Sequence, residues 1–373
     1  MKAFILTILA QLCLLALAAA QPCDLPTLLK QPGYWEEEQN PARPSIAAAD
    51  LARQRTVISN IVQLPKKKYA PKGVDVYFHS AFFDASRVPL KVNTGNYYTV
   101  DFTFAKHDCP YNKAKILEKL SEGRELEVVR IHINDFAFTF GQSFFVPSEP
   151  YQENPMTDAF ALVDDLAVKD GVAWYWGKGT GGRTGDKEQY WLITLDGKLP
   201  FYYVSQKEFA GNLKVYYEKK IKEAETNYAN NLKTAEETYK QLKSINAAEA
   251  NKLKEQSAAQ YKKQLEIDKG QYTKNLAVAN KILQSDEKTL SAPAIIDRIK
   301  GYFDFQGFVA ADHIYSSYVI RPNPAYFNAK LPKSSPQFMS LYFDIPNEPI
   351  FKMANTEFLK ALDFSALQAL LGK

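Results

Sequence analysis

Cysteine and histidine are scarce in this 373-residue sequence, with three and four residues respectively, and there is no large excess of charge of either sign. Lys and Arg number 46 against 42 Asp and Glu, so the formal net charge is only +4. A nearly balanced chain lacks the strong positive field that nucleic-acid-binding proteins use, and we expect no nucleic-acid partner. The hydrophobic content of 46% predicts a folded chain with a sizeable core.

Catalytic and metal-binding motifs are missing as well. The histidines lack the spacing of a zinc or metalloprotease site, and we expect structural roles for all four: His79, His107, His132 and His313. The run Gly141-Gln142-Ser143-Phe144-Phe145 differs from a nucleophile elbow at its last position. Adjacent acids such as Asp164-Asp165 do not show the facing carboxylate pair of a glycosidase. The sequence therefore predicts no catalytic residue, no metal site and no cofactor.

A long apolar run occurs only at the N-terminus, from Phe4 to Ala19, after the positively charged Lys2. It ends in alanines 18–20, which fits cleavage by a signal peptidase before Gln21. We expect residues 1–20 to be a signal peptide and the product to be exported, periplasmic or extracellular, with no membrane segment after cleavage. An uncleaved membrane anchor is the alternative.

Two cysteines remain after removal of the signal peptide, Cys23 and Cys109. Exported proteins meet an oxidising compartment, so we expect a disulfide that ties the N-terminal tail to the first domain. Closing a loop of that length would stabilise the fold by roughly 4 kcal/mol on the chain-entropy model. Two free thiols are the alternative.

The body of the protein is predicted from the periodicity of its apolar residues. An extended tail at 21–44 precedes a helix from Ser45, the expected N-cap, to Leu64. Strands follow. In the third strand, Glu127–Phe140, the alternation of apolar residues changes phase at Asn134-Asp135, which predicts a bulge or turn there. The predicted strands of this half are Val74–Phe78, Tyr97–Phe104, Glu127–Phe140, Val172–Trp176 and Tyr190–Leu195. Short turns at Lys169-Asp170-Gly171 and Asp196-Gly197 indicate antiparallel pairing.

The last 83 residues return to the same kind of pattern. We expect a break and helix start at Ser291-Ala292-Pro293, then strands within Phe308–Ile320 and Gln337–Ile345. Two short helices, Thr356–Leu362 and Asp363–Leu371, are expected to dock on the body.

Residues 205–290 differ in composition and repeat every eleven residues. Tyrosine occupies the seventh place in four of five blocks, and leucine the tenth or eleventh place in all five. Eleven residues over three turns is about 3.67 per turn, so these side chains form one nearly straight stripe along a helix. The blocks begin at Lys222, Lys233, Ser244, Glu255 and Glu266. Plain packing between helices is the expected role of this stripe, and a ligand site is the alternative.

The repeat segment is predicted to be a coiled-coil-like helical hairpin. The third block is the least regular, which places the turn within Ser244–Asn251. A single helix of roughly 130 Å is the alternative, and it would need a partner to bury its stripe, so the protein is expected to be a monomer or a dimer through this segment. The predicted divisions are the signal peptide 1–20, the first part of the body 21–204, the hairpin 205–290 and the C-terminal part 291–373. The fold class is α+β, an antiparallel-sheet body with a long helical hairpin arm.

A glycine-rich run from Gly177 to Gly185 nearly matches a phosphate-binding loop, but Arg183 stands where lysine is required. A strand follows at Tyr190, whereas a phosphate loop opens a helix. We therefore expect a mobile hairpin loop, with Lys178 and Arg183 as candidate contacts to an anion or a glycan.

Clustered tryptophans are the remaining candidate. Trp174 and Trp176 point to the same side of one strand, and Trp191 lies on the next. If that side is exposed, the rings form a flat surface suited to a sugar face or a protein partner. If it is covered, they belong to the core.

One local resemblance concerns Thr194-Leu195-Asp196-Gly197-Lys198-Leu199-Pro200-Phe201-Tyr202-Tyr203-Val204, followed by Lys207-Glu208-Phe209 and the long helix. This run resembles an element of uncharacterised exported proteins of Bacteroidota-type bacteria and covers about a third of the chain. The resemblance implies export and a junction between strand and helix, and it transfers no functional residue. The expected function is an exported, non-enzymatic binding or structural protein with a protein or glycan partner. An exported hydrolase acting on polysaccharide or peptide is the alternative.

Overall fold

The computed structural model describes residues 24–38, 46–84, 90–108, 126–140, 158–162, 166–169, 172–177, 188–301 and 304–373. The helices of these residues are α1 (Leu25–Leu28), α2 (Ala48–Lys68), α3 (Phe136–Thr139), α4 (Gln206–Lys243), α5 (Ala247–Leu283), α6 (Glu287–Ser291), α7 (Pro349–Ala361) and α8 (Phe364–Gln368). The strands are β1 (Trp35–Glu37), β2 (Val74–Phe82), β3 (Tyr98–Lys106), β4 (Leu126–Ile133), β5 (Phe160–Leu162), β6 (Ala167–Lys169), β7 (Val172–Gly177), β8 (Glu188–Ile193), β9 (Phe201–Tyr203), β10 (Ile295–Asp297), β11 (Ser316–Pro322) and β12 (Met339–Asp344).

A large sheet organises the body, with the strand order β1-β2-β3-β4-β12-β8-β7-β6 within the described chain. Its pairings are antiparallel apart from β1, which runs parallel to β2. Strand β12, from the C-terminal part, lies between β4 and β8 and pairs with both. The two parts of the body are therefore one sheet, and the fold class is α+β as predicted.

The principal core lies on one face of this sheet. Alternate residues of β2, β3, β4 and β12 are almost fully buried there against the apolar sides of α2 and α7. Phe358 of α7 is fully buried and contacts the rings of Phe102 and Phe104 at centroid distances of 4.9 and 5.2 Å. The C-terminal helices pack on the body as predicted, and they cover this core.

A second, smaller sheet packs near the other face. Strand β11 pairs antiparallel with β10, β5 and β9. Between the two sheets lies an aromatic core that includes Phe136, Phe160, Phe201 and Phe338. The other side of the small sheet packs on the first turns of α4 and the last turns of α5.

The predicted helical hairpin is confirmed, with helices of 38 and 37 residues packed against each other. Helix α4 begins at the N-cap Ser205, whose hydroxyl accepts from the Glu208 amide at 3.1 Å, and α5 begins at Asn246, whose side chain accepts from the Glu249 amide at 3.2 Å. The turn occupies residues 244–246, inside the predicted interval. Each helix is about 57 Å long at 1.5 Å per residue.

Burial along this arm is concentrated at its base. The buried residues of α4 lie in its first three turns, from Phe209 to Tyr217, and Ala279 completes their core from α5. Towards the tip, Tyr228, Tyr239 and Tyr261 of the repeat are only half-buried. The opposite helix therefore covers only part of the tyrosine and leucine stripe, as in a two-stranded coiled coil.

An ion cluster joins the arm to the body. Arg321 of β11 donates two hydrogen bonds to Asp158, at 2.8 and 2.7 Å, and one to Glu208 of α4 at 2.5 Å. The Tyr202 hydroxyl donates to the same Glu208 at 3.1 Å. Because Asp158 is almost completely buried, Arg321 is the counter-charge that makes its burial tolerable.

Several predicted element boundaries are wrong. The tail 21–44 contains the capped turn α1 and the strand β1. Helix α2 begins at Ala48 with Ala47 as N-cap, not at Ser45, which lies outside the described residues, and it runs past Leu64 because Pro65 is accommodated in the last turn. The expected helix at Ser291-Ala292-Pro293 is the end of α6, followed by strand β10.

The strand predicted from Glu127 to Phe140 ends at Ile133, so its second half is also wrong. The phase change is a turn in which Asn134 has a φ of 56°, after which Asp135 caps the short helix α3. Among the described residues, none of the helices is long and apolar enough to cross a membrane.

Candidate functional site

The structure places two of the three candidate tryptophans directly opposite each other. Trp174 of β7 pairs with Trp191 of β8, and their ring centroids are 6.0 Å apart with an angle of 23° between planes. Side chains alternate along a strand, so both rings lie on the face that carries the principal core. The common side predicted from the sequence concerned Trp174 and Trp176, and it stays a prediction because the Trp176 side chain lies outside the described residues.

The other sequence candidates are not brought into this arrangement by the described coordinates. The backbone of Trp176 pairs with Gln189, two positions along the same face, and its side chain lies outside the described residues. Lys178 and Arg183 lie outside them too, as do Cys23 and Cys109, so the proposed anion contacts and the disulfide stay predictions.

A third ring extends the tryptophan pair. Phe364, the first residue of α8, stacks on Trp191 with centroids 5.4 Å apart and planes 18° apart. Trp191 also packs against the principal core, and both tryptophans are half-buried. The sequence posed an exposed surface and a buried core as alternatives, and the structure shows a row of rings at the margin of the core.

These rings line a groove of about 640 Å³ between the end of the large sheet and helix α7. Such a volume falls in the range of about 300–1,000 Å³ that small-ligand sites occupy. The groove is formed by residues of β6, β7, β8, β12, the β12–α7 connection, α7 and α8: Lys169, Trp174, Gln189, Trp191, Phe343, Ile345, Pro346, Lys352, Asn355, Thr356, Leu359, Lys360 and Phe364.

The charge of the groove has one sign. Its described lining includes the exposed lysines Lys169, Lys352 and Lys360, and neither Asp nor Glu. The Lys169 ammonium lies 6.0 Å from the centroid of the Trp191 ring, within reach of a cation–π interaction. Lys360 donates to Glu357 at 2.7 Å, so part of its charge is compensated.

Two polar atoms of the groove wall are buried without a hydrogen-bond partner among the described residues. They are the indole Nε1 of Trp191 and the Oδ1 of Asn355. The amide nitrogen of Asn355 donates to the Asp344 carbonyl across a long 3.5 Å. An unpaired buried polar atom costs about 1–3 kcal/mol, so a ligand that pairs with either one after a small side-chain rotation gains that energy.

Three of the four histidines lie beside a carboxylate, whereas His313 accepts a hydrogen bond from the Tyr315 amide at its Nδ1, at 3.2 Å. His79 lies 3.8 Å from Asp101. The buried His107 bonds Asp75 at 3.1 Å, and the buried His132 bonds Asp135 at 3.2 Å. In the described part of the chain, no group of three or more His, Cys, Asp or Glu side chains could hold a metal ion.

Sequence reasoning found Trp174 and Trp191 but missed the residues that turn them into a groove. Phe364, Lys352 and Asn355 lie more than 150 positions further along the chain. The predicted docking of the C-terminal helices was the only available signal for their proximity. Comparisons with protein-family models, with curated proteins and with solved structures find no significant match for this chain.

Proposed function

We propose that this is an exported, non-enzymatic glycan-binding protein that holds a sugar chain in the tryptophan groove. The observation that carries the proposal is the row of nearly parallel rings formed by Trp174, Trp191 and Phe364 along one open groove. The C–H bonds of a pyranose ring carry partial positive charge, and we assign them to the parts of the ring faces that the stacked neighbours leave open to the groove.

Polar groups at the rim support a sugar better than a purely apolar ligand. Gln189, Asn355 and Thr356 supply amide and hydroxyl groups beside the rings. A sugar has an apolar face and a polar edge, so it satisfies both kinds of surface at once. An apolar ligand would leave the amides of the rim without partners.

The arm is proposed to be a structural extension, with binding assigned to the body. A depression near its tip, lined by Tyr239, Leu242 and Tyr261 among others, has a volume of about 150 Å³, roughly a quarter of that of the tryptophan groove. The Lys254 side chain lies beside this depression. The Lys254 ammonium is 2.6 Å from Glu236 and 4.5 Å from the centroid of the Tyr239 ring.

Calorimetric titration of the mature protein with a panel of neutral and acidic hexasaccharides tests the proposal. We expect saturable binding of at least one hexasaccharide, weakened about tenfold, or about 1.4 kcal/mol, by Trp174→Ala. Tyr315→Ala, which removes an exposed ring that does not line the groove, is the matched control and should leave binding unchanged.

Absence of binding across the whole panel, or equal effects of the two substitutions, would refute the assignment. Chromatography of the sugars after incubation addresses the alternative of an exported hydrolase. We expect the hexasaccharides to stay intact, whereas shorter products would favour that alternative.

A further inference from the structure

The distribution of charge around the tryptophan groove indicates which glycans it prefers. Lys169 comes from the sheet side at β6, whereas Lys352 and Lys360 project from helix α7 on the opposite side. Positive charge therefore flanks the aromatic row on both sides. The described lining contains no carboxylate, although Glu357 outside it pairs with Lys360.

Two of these lysines are available to a ligand. Within the described chain, neither Lys169 nor Lys352 forms a salt bridge, whereas Lys360 is paired with Glu357. Both are exposed. An anion can therefore bind them without breaking an existing ion pair and without the desolvation cost of a buried charge.

We propose that the groove selects acidic glycans, in which pyranose rings carry carboxylate or sulfate groups. This inference rests on the proposed function, because it assigns the aromatic row to the sugar ring and the lysines to its negative substituents. Lysine is a compact point charge without the planar fork of arginine, so its ammonium binds carboxylate and sulfate groups alike. The groove is then matched to the ligand in shape and in charge.

Competing partners differ in a way that an experiment can resolve. A neutral glycan would use the rings and ignore the lysines. An acidic peptide would use the lysines without needing the flat rings. An acidic glycan needs both, so only its binding should respond to substitutions of both kinds.

The test compares four probes by calorimetry at low and high salt: a neutral glucose hexamer, a galacturonate hexamer, a sulfated glucose hexamer and a glutamate hexapeptide. We expect at least one acidic sugar to bind about tenfold more tightly than the neutral one in 25 mM salt. The advantage should shrink in 500 mM salt, because exposed charges are screened there.

Three substitutions test whether Lys169 and Lys352 bind the acidic groups of the sugar. Lys352→Gln and Lys169→Gln should each weaken binding of the acidic sugar about threefold to fivefold and leave the neutral sugar unaffected. Lys330→Gln, an exposed lysine that does not line the groove, is the matched control and should change nothing.

The outcomes separate this inference from the function on which it rests. If the neutral hexamer binds as tightly as the acidic ones and only Trp174→Ala matters, glycan binding stands and acidic selectivity is wrong. If the hexapeptide binds best and Trp174→Ala has no effect, both proposals are wrong. Binding of acidic sugars that depends on Trp174, Lys169 and Lys352 together supports both.

Discussion

Asn134 holds three separate segments of the body together, and replacing it should be among the most damaging single changes. The residue follows β4, is fully buried and has a φ of 56°. Its Nδ2 donates to the carbonyls of Asn96 and Ser335 at 3.2 and 2.9 Å. Its Oδ1 accepts from the amides of Gln337 and Phe338 at 2.8 and 3.4 Å.

The expected cost of Asn134→Ala follows from these contacts. Three good hydrogen bonds are worth about 1 kcal/mol each, and the buried backbone groups lose their partners as well. Alanine in the left-handed region costs about a further 1–2 kcal/mol. The sum is a loss of about 4–5 kcal/mol in the free energy of unfolding.

Asn134→Gly separates the two contributions. Glycine adopts a φ of 56° without strain but provides no side chain, so we expect a loss about 1 kcal/mol smaller than that of alanine. Asn251→Ala, on an exposed position of α5, is the matched control and should change stability by less than about 0.5 kcal/mol.

Urea denaturation followed by circular dichroism measures all three variants. A loss below about 1 kcal/mol for Asn134→Ala would show that neighbouring groups or water replace the amide. Equal losses for alanine and glycine would refute the assignment of backbone strain to this position.

Three further changes are predicted. Arg321→Met leaves the buried Asp158 without its counter-charge and should lower stability by about 3–5 kcal/mol, with amide exchange accelerated in the first turns of α4; unchanged exchange there would contradict the anchoring role. Gly33→Ala places a Cβ 1.9 Å from the Val74 carbonyl oxygen and should cost at least about 2 kcal/mol in thermal unfolding, because strand β1 must move; a change below about 0.5 kcal/mol would mean that the strand is loosely held. Burial raises the pKa of Tyr326 from 10.0 to about 12, so the folded state keeps its proton after the unfolded state has lost it, and the contribution of this residue to stability should fall by up to about 3 kcal/mol between pH 10 and 12. Tyr326→Phe should flatten that part of the pH profile, and an unchanged slope would assign the alkaline loss to other groups.

Local periodicity was sufficient to predict most of the elements. The eleven-residue repeat predicted helices with one apolar stripe, and its least regular block predicted the position of the turn between them. Alternation and short turns predicted the antiparallel pair of β7 and β8, whereas the register that places Trp174 opposite Trp191 is known only from the structure.

The missed features depend on contacts that are distant in sequence. The parallel pairing of Trp35–Glu37 with β2 is set by residues about 40 positions apart, and a three-residue strand has no periodicity of its own. The helix beyond Leu64 contains Pro65, which usually ends a helix, but here Pro65 is buried in the last turn. Tertiary packing outweighs local preference in both cases.

The site was predicted only in part, for the same reason. Two strands adjacent in sequence brought the tryptophans together, whereas the wall of the groove is supplied by α7 and α8 from the other end of the chain. The proposed preference for acidic ligands rests on lysines that become neighbours only in the folded protein.

The two ends of the arm meet where it leaves the body. Ser205 and Pro293 face each other in a β-bridge, and the Gln206 amide donates to the Ala292 carbonyl at 2.8 Å. The arm therefore joins the body at two adjacent points, as a tight loop would, although it is a long insertion. Deleting one eleven-residue block from each helix would shorten the arm by about 16 Å and keep every remaining tyrosine in phase, so arm length is a property that insertions and deletions can vary while the sheet is unchanged.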